Sequence, residues 1–200
     1  TPAMSRITLL DRIKAMMGDT SAMGRVTVLA VTRMLSGVCI AGIASNGRWV
    51  RPTKERHSLT PSDIAYPTRE VMQPFDVVGF TVLRSRPQPP HVEDCICDFI
   101  RARPRLAARL APEERAAFLE EHAEASAAPV LEEHRRSLCV VRAGRLEATF
   151  DLDAYTGKYE ARLAVDGGRA IPVTDLRWRA LGRRLVGERG GERRFQHAEL

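Results

Sequence analysis

The sequence predicts a mainly β protein: a small closed β-barrel, a helical insertion and a second β-unit. Three observations carry this. Short β-branched runs recur between residues 26 and 100, and an Asn46-Gly47 pair joins two of them. A stretch rich in alanine, leucine, arginine and glutamate then fills residues 101–136. From Ser137 onward strand-like runs return, separated by glycine turns. Several short strands at close, even spacing suit a barrel rather than an open sheet.

Residues 5–17 place Ile7, Leu10, Ile13 and Met17 at helical spacing, with Ser5 as a cap and Gly18 as a stop. This predicts a short amphipathic helix joined by a small, polar linker to a globular part that begins near Arg25, so residues 1–24 form helix and linker. Residues 26–31 (VTVLAV) read as a buried strand. Residues 37–44 and 48–51 form a hairpin about Asn46-Gly47, for which a type I′ turn is expected. Side-chain alternation then sets Arg48, Val50 and Pro52 on one side of the second strand and Trp49, Arg51 and Thr53 on the other. Residues 52–74 carry prolines, hydroxyls and charges and predict a long irregular loop. Residues 75–84 (FDVVGFTVLR) are the longest strand, with Gly79 marking a bulge or a barrel corner. An extended connection, Arg86-Pro87-Gln88-Pro89-Pro90-His91, and a short run to Ile100 complete the first barrel, residues 25–100.

In the insertion, with its helical part near 105–127, Pro112 followed by Glu113 and Glu114 is a helix start. Leu110, Phe118, Leu119 and Leu106 would supply its apolar side. The second β-unit, residues 137–186, is predicted as four strands at 138–141, 146–152, 158–165 and 170–174. Residues 187–200 read as a polar tail.

Hydrophobic content of 44% and charged content of 28% are globular values. The net charge of +6 favours acidic partners such as nucleic acid. Lysine occurs only at Lys14, Lys54 and Lys158, the remaining basic residues being arginine, which either reflects a GC-rich coding sequence or suits phosphate contact and base stacking. Four cysteines with no leader peptide in view favour a reducing, cytoplasmic setting over a disulfide framework. No run of about 18 apolar residues is present, so no membrane span is expected. The opening Thr1-Pro2-Ala3-Met4 fits a vector-derived scar or a piece of a longer protein, with Met4 and Met23 as candidate natural starts.

The order of local motifs resembles the dual OB-containing domain family of prokaryotic proteins. The residues that carry the resemblance are Val28-Leu29-Ala30 followed by Thr32-Arg33, then residues 37–42 (GVCIAG) and Trp49-Val50-Arg51-Pro52. Residues 87–91 (PQPPH), Tyr155-Thr156-Gly157-Lys158-Tyr159 and Val173-Thr174-Asp175 extend it, so that it spans roughly residues 26–178. The resemblance implies two OB-like barrels and supplies no reaction.

For function, Trp49 and Arg51, with Tyr66 and His91 nearby, could form a stacking platform with a basic rim. OB barrels bind single strands in this way, each base–aromatic contact being worth about 1–3 kcal/mol. The competing reading places Trp49 in the barrel core and Arg51 in solvent. Trp178 reads as an anchor sealing a barrel end. His91, Cys95, Cys97 and Cys139 lack the paired spacing of a zinc site, and alternation points Cys95 and Cys97 together into a core as free thiols. His122 and His134 sit among glutamates on a solvated face. Asp151 and Asp153 share a strand face and flank a turn. Arg177, Arg179, Arg183 and Arg184 either follow a phosphate backbone or form a solvated segment. No P-loop, HExxH, nucleophile elbow or cofactor motif is found, and neither a metal nor a cofactor is expected.

The sequence therefore favours a non-catalytic module that binds single-stranded nucleic acid or senses a nucleotide. Trp49 and Tyr66 would stack bases, Arg48, Arg51, Lys54 and Arg56 would meet phosphates, and His91 would hydrogen-bond beside them. The alternative is a protein-interaction or structural module, a homo-oligomer or complex subunit assembled through the N-terminal helix and the insertion helix. An enzyme acting on nucleotides would need carboxylates or a metal converging near Trp49.

Overall fold

The computed structural model describes residues 25–34, 36–187 and 191–198. The expected N-terminal helix and linker lie outside the described residues. Mainly β architecture with few helices is what the chain adopts: eleven strands and three helices among the described residues.

β1 (Val26–Met34) and β2 (Gly37–Ala44) pair antiparallel from Val26↔Ala44 to Met34↔Gly37, with a bulge at Leu29. β3 (Trp49–Thr53) returns along β2. The turn between them is not type I′. Gly47 N–H donates to the Ala44 carbonyl (2.8 Å) and Ala44 N–H to the Arg48 carbonyl (2.9 Å), and only Gly47 has positive φ, at 78°. The loop is thus Ser45-Asn46-Gly47, a type I turn followed by a left-handed glycine, which moves the start of β3 from Arg48 to Trp49.

β4 (Asp76–Gly79) pairs antiparallel with β1, and β5 (Val82–Ser85) pairs antiparallel with β6 (Asp94–Cys97). β6 in turn runs parallel to β3, with Arg51 opposite Asp94. β4 and β5 are two halves of one run broken only at Phe80-Thr81. The sheet order β5-β6-β3-β2-β1-β4 therefore begins and ends on the same piece of chain. A sheet whose two flanks are covalently continuous must curl on itself, and Gly79 ends the first half at the corner. Val28, Val31, Ile40, Val50, Val78 and Cys95 fill the interior.

The loop at residues 54–74 has little regular structure but is not detached. Leu59, Ile64, Tyr66 and Met72 all join the barrel core. Its fixing point is Asp76, which is 1% exposed. The carboxylate accepts from Tyr66 Oη (2.7 Å), Gln73 N (3.0 Å) and Arg109 Nε (2.8 Å), and Arg109 also holds Glu70. Burial, with the Asp76 carboxylate beside it, pushes the Tyr66 hydroxyl far above its usual range, so it stays a donor.

Arg109 belongs to β7 (Arg105–Arg109), a strand added to the outer edge of β4. Leu106 therefore lies in a strand rather than on the insertion helix. Register with β4 places Arg109 opposite Asp76, and that ion pair outweighs the local helical composition. α1 (Pro112–His122) starts at proline as expected, and the Glu114 carboxylate accepts from Ala111 N–H (2.8 Å). Its inner face is Arg115, Phe118, Leu119 and His122, all half-buried. His122 Nδ1 meets the Phe118 carbonyl at 2.8 Å and its ring lies against Phe118, so it is not on a solvated face. α2 (Ala128–Leu131) is a single turn.

The second unit is a four-stranded antiparallel sheet in the order β10-β9-β8-β11. Its members are β8 (Arg145–Leu152), β9 (Tyr159–Val165), β10 (Ile171–Pro172) and β11 (Gly191–Ala198). Residues 138–141 contribute only one bridge, Val141 to Glu124, and the fourth strand comes from the segment expected to be a polar tail. Charged residues on β11 face β8 across a solvated edge, where Arg194 pairs with Glu147, which is why its polar composition hid a strand. Between β10 and β11 runs α3 (Leu176–Val186), a helix that the arginine-rich reading overlooked. Its signals are present: Asp175 Oδ1 caps Trp178 N at 2.7 Å and Gly187 ends it with φ 73°. Trp178 packs on Phe150, and Gly182 lies flat against Phe150 and Tyr159.

The two units are stitched together. Glu93, at the start of β6, is 9% exposed and accepts from Ser137 N (2.9 Å), Ser137 Oγ (3.0 Å) and Leu138 N (3.2 Å). Arg33 N donates to the Thr174 carbonyl (2.7 Å), and Leu176 packs on the first core.

Two substitutions test this account by denaturant unfolding. Asp76→Ala strands the Tyr66 hydroxyl and the Gln73 N–H and should cost about 3 kcal/mol. Gly182→Ala would gain about 1 kcal/mol on helix propensity, but its Cβ would sit 2.1 Å from Phe150 Cδ1 and 2.4 Å from Tyr159 Oη. Overpacking against a ring that is 1% exposed wins, and a net loss of about 1–3 kcal/mol is expected.

Candidate anion-binding cleft

Alternation along β3 is as the sequence dictates: Val50 and Pro52 are buried, while Trp49, Arg51 and Thr53 are half-buried on the outer face. Asp94 of β6 lies opposite Arg51, and Cys39 of β2 lines the same space as Arg51 and Thr53. Two connections rise around this floor. Residues 54–59 leave β3 and turn back at Leu59, whose carbonyl accepts from Val38 N–H (2.8 Å). Residues 86–91 fold into a tight turn closed by the Gln88–His91 bridge, and Arg86, His91 and Asp94 line the same space. The result is a cleft of about 280 Å³. Arg51, Lys54, His57, Arg86 and His91 line it together with Asp94, and Met34, Cys39 and Leu59 give it apolar patches.

Each cation in the cleft has a defined tether. Arg51 Nε donates to Asp94 Oδ1 at 2.5 Å, and Arg86 Nη2 stands 4.0 Å from Asp94 Oδ2 and 3.5 Å from Thr53 Oγ1. Lys54 Nζ pairs with Asp63 at 2.6 Å. Burial opposes ionisation of Asp63, but Lys54 and the N–H and hydroxyl of Thr60 outweigh it and hold the carboxyl below its usual range. Burial pushes the Cys39 thiol up, against the lowering effect of Arg51, so it is a neutral thiol rather than a thiolate nucleophile at neutral pH.

Of the residues singled out from sequence, Arg51, Lys54 and His91 meet in this cleft. Trp49 shares the outer face with Arg51 but lies outside the lining. Arg48 is exposed at the hairpin turn, where its N–H donates to Asn46 Oδ1 (3.1 Å), and Arg56 is exposed on the loop beyond Lys54. Tyr66 does not belong to a ligand surface. It is 2% exposed, and its hydroxyl is consumed by Asp76, so no base can stack on it.

Sequence reasoning missed Arg86, His57, Asp94 and Cys39. For Arg86 the signal was present, because a proline-rich turn between Arg86 and His91 brings its two ends together. For Asp94 it was not, because the parallel pairing of β3 with β6 joins residues far apart in sequence.

The other constellations resolve elsewhere. Cys95 and Cys97 point into the first core with their sulfurs 3.7 Å apart, and Cys139 is a separate half-buried thiol. Among the described residues no group of three or more histidine, cysteine or acidic side chains is placed to hold a metal. Asp153 Oδ1 accepts from Tyr155 N and Thr156 N, both at 2.9 Å, as a turn residue. Arg179 and Arg183 lie over the Tyr159 ring at 4.9 and 4.6 Å, while Arg184 is exposed. No described helix is long and apolar enough to cross a membrane.

A curled five-strand ring with a basic cleft on its outer face, joined to a second β-unit, defines a small-barrel protein of the OB type. The model of the dual OB-containing domain family matches residues 24–187, and the chain belongs to that family. No curated protein and no solved structure matches it.

The Lys54–Asp63 pair gives a pH signature. Because the folded-state carboxyl of Asp63 is depressed, its contribution is fully present above the ordinary aspartate range near pH 4 and is lost as pH falls through the lower folded-state value. Stability measured from pH 7 to pH 2 should fall less steeply in Asp63→Asn than in the unsubstituted chain.

Proposed function

We propose that this protein is a non-catalytic binding module for single-stranded nucleic acid or nucleotides, and that the cleft beside Arg51 receives the phosphate. The observation that carries the reading is the convergence of Arg51, Lys54 and Arg86 with His57 and His91 on one small cleft of an OB-type barrel. OB barrels as a class combine a basic groove with stacking side chains. Trp49 supports the same reading. It projects from the outer face two residues before Arg51, about 7 Å along the strand, where a base leaving the cleft would meet its ring. Asp94, the carboxylate in the cleft, is engaged by two guanidiniums, which suits holding a ligand better than moving a proton. The family assignment supports a nucleic-acid ligand without specifying one.

Fluorescence titration of labelled single-stranded DNA and RNA at two salt concentrations tests this. With three cations meeting phosphate, log affinity should fall with log salt at a slope of about −2. Arg51→Ala should weaken binding, while Tyr66→Phe should leave affinity unchanged and lower only stability. Absence of binding at low salt would refute the proposal.

A further inference from the structure

The second sheet has two edges, and only one of them is protected by its sequence. β10 is two residues long and ends in Pro172, which has no N–H to offer a further strand. β11 is eight residues long, contains no proline and holds unbroken register with β8 from Gly191↔Leu152 to Ala198↔Arg145. No described strand pairs with its outer side. About 27 Å of strand edge is left with backbone donors and acceptors turned outward.

Apolar side chains gather at the same edge. Phe195 lies opposite Ala148, so it shares the face of the sheet that packs on α3. Its ring is 6.0 Å from that of Phe150, yet the residue is 44% exposed. Successive helical residues turn by about 100°, which places the others. Trp178, Gly182 and Val186 face the sheet. Arg179 and Arg183 turn to one flank, over Tyr159 of β9. Leu181 and Leu185 turn to the opposite flank, on the β11 side of β8, and are 39% and 43% exposed. Single surface leucines need no account. Three large apolar side chains beside an unpaired strand form one strip.

The strip is complementary to itself. A two-fold axis perpendicular to the sheet sets β11 antiparallel to a second β11 and brings the Leu181 and Leu185 flank of each α3 towards the other. Charge on the opposite face does not oppose this, because Arg194 is met within its own chain by Glu147 at 3.7 Å and Glu192 at 3.4 Å. Alternation limits the register: directly opposed residues share a face, so a near-complete overlap centres on Arg194 or on Phe195. The first sets like charges against each other and the second pairs two aromatic rings, so the second is favoured.

We infer that the protein forms a two-fold dimer through β11, joining two four-stranded sheets into one of eight strands. Phe195 lies at the axis, and Leu181 and Leu185 pack across it. Neither the N-terminal segment nor the insertion helix takes part, and the interface contains none of the residues that line the cleft.

Light scattering and sedimentation equilibrium of the full chain over a concentration series test this. The expected mass is twice the 22.3 kDa of one chain. Phe195→Asp and Leu185→Glu should each raise the dimer dissociation constant about thirtyfold or more. Circular dichroism checks that the fold persists, and Leu185, an exposed position on a helix flank, keeps the test decisive if Phe195→Asp loosens β11. Ile100→Glu, at a residue 86% exposed and outside the strip, and Leu10→Glu, on the apolar stripe expected for the N-terminal segment, should leave the mass unchanged. A chain monomeric throughout the series, a dimer unmoved by both strip variants, or a dimer broken by Ile100→Glu or Leu10→Glu would overturn the inference.

Discussion

The Asp76 carboxylate is the constraint on which most of the first barrel rests. A buried anion is tolerable only when its lone pairs are met, and here a tyrosine hydroxyl, a backbone N–H and a guanidinium meet them. Those three donors come from the long loop, from the approach to β4 and from β7. One carboxylate therefore fixes the loop that plugs the barrel, the strand that turns its corner and the strand that extends it. The 54–74 loop, which would otherwise be a free crossing of the surface, becomes part of the core. Its first six residues are tied separately, by the Leu59 carbonyl accepting from Val38 N–H and by the Lys54–Asp63 pair, and line one side of the cleft.

The cleft has the same logic at the other end of the strand order. Parallel pairing of β3 and β6 is the step that closes the ring, and it also brings Arg51 opposite Asp94. Barrel closure and guanidinium placement are one event. The thiols of β6 lie on the inward side of the strand, so what β6 itself presents to the cleft is the Asp94 carboxylate.

What could be read from the sequence was governed by range. Asn46-Gly47, the β-branched run of β1, the corner at Gly79 and the Pro112 helix start are all local signals, and each marks a real feature. The turn type at Asn46-Gly47 was not readable, because choosing between a two-residue and a three-residue loop depends on the register of the strands it joins. β7 and β11 were hidden for a related reason. Their composition is helical or polar, and only the edge of an existing sheet makes strands of them. α3 shows the opposite case: Asp175 and Gly187 bracket the helix in the sequence, while the four arginines between them give it the composition of a solvated segment. In the cleft, Arg51, Lys54 and His91 were accessible through strand alternation and neighbouring loops. Tyr66 was misassigned because an aromatic in a polar loop looks exposed until its hydroxyl finds a buried acceptor.

Glu93 has a consequence for what counts as a unit in this protein. Its buried carboxylate is satisfied by Ser137 and Leu138, residues that lead into the second sheet. A cut made between the two β-units would leave that charge facing an emptied surface one residue from Asp94, which lines the cleft. The molecule is double in outline, yet an excised first barrel would lose the partners of a buried carboxylate, and duplication of form here does not amount to independence of parts.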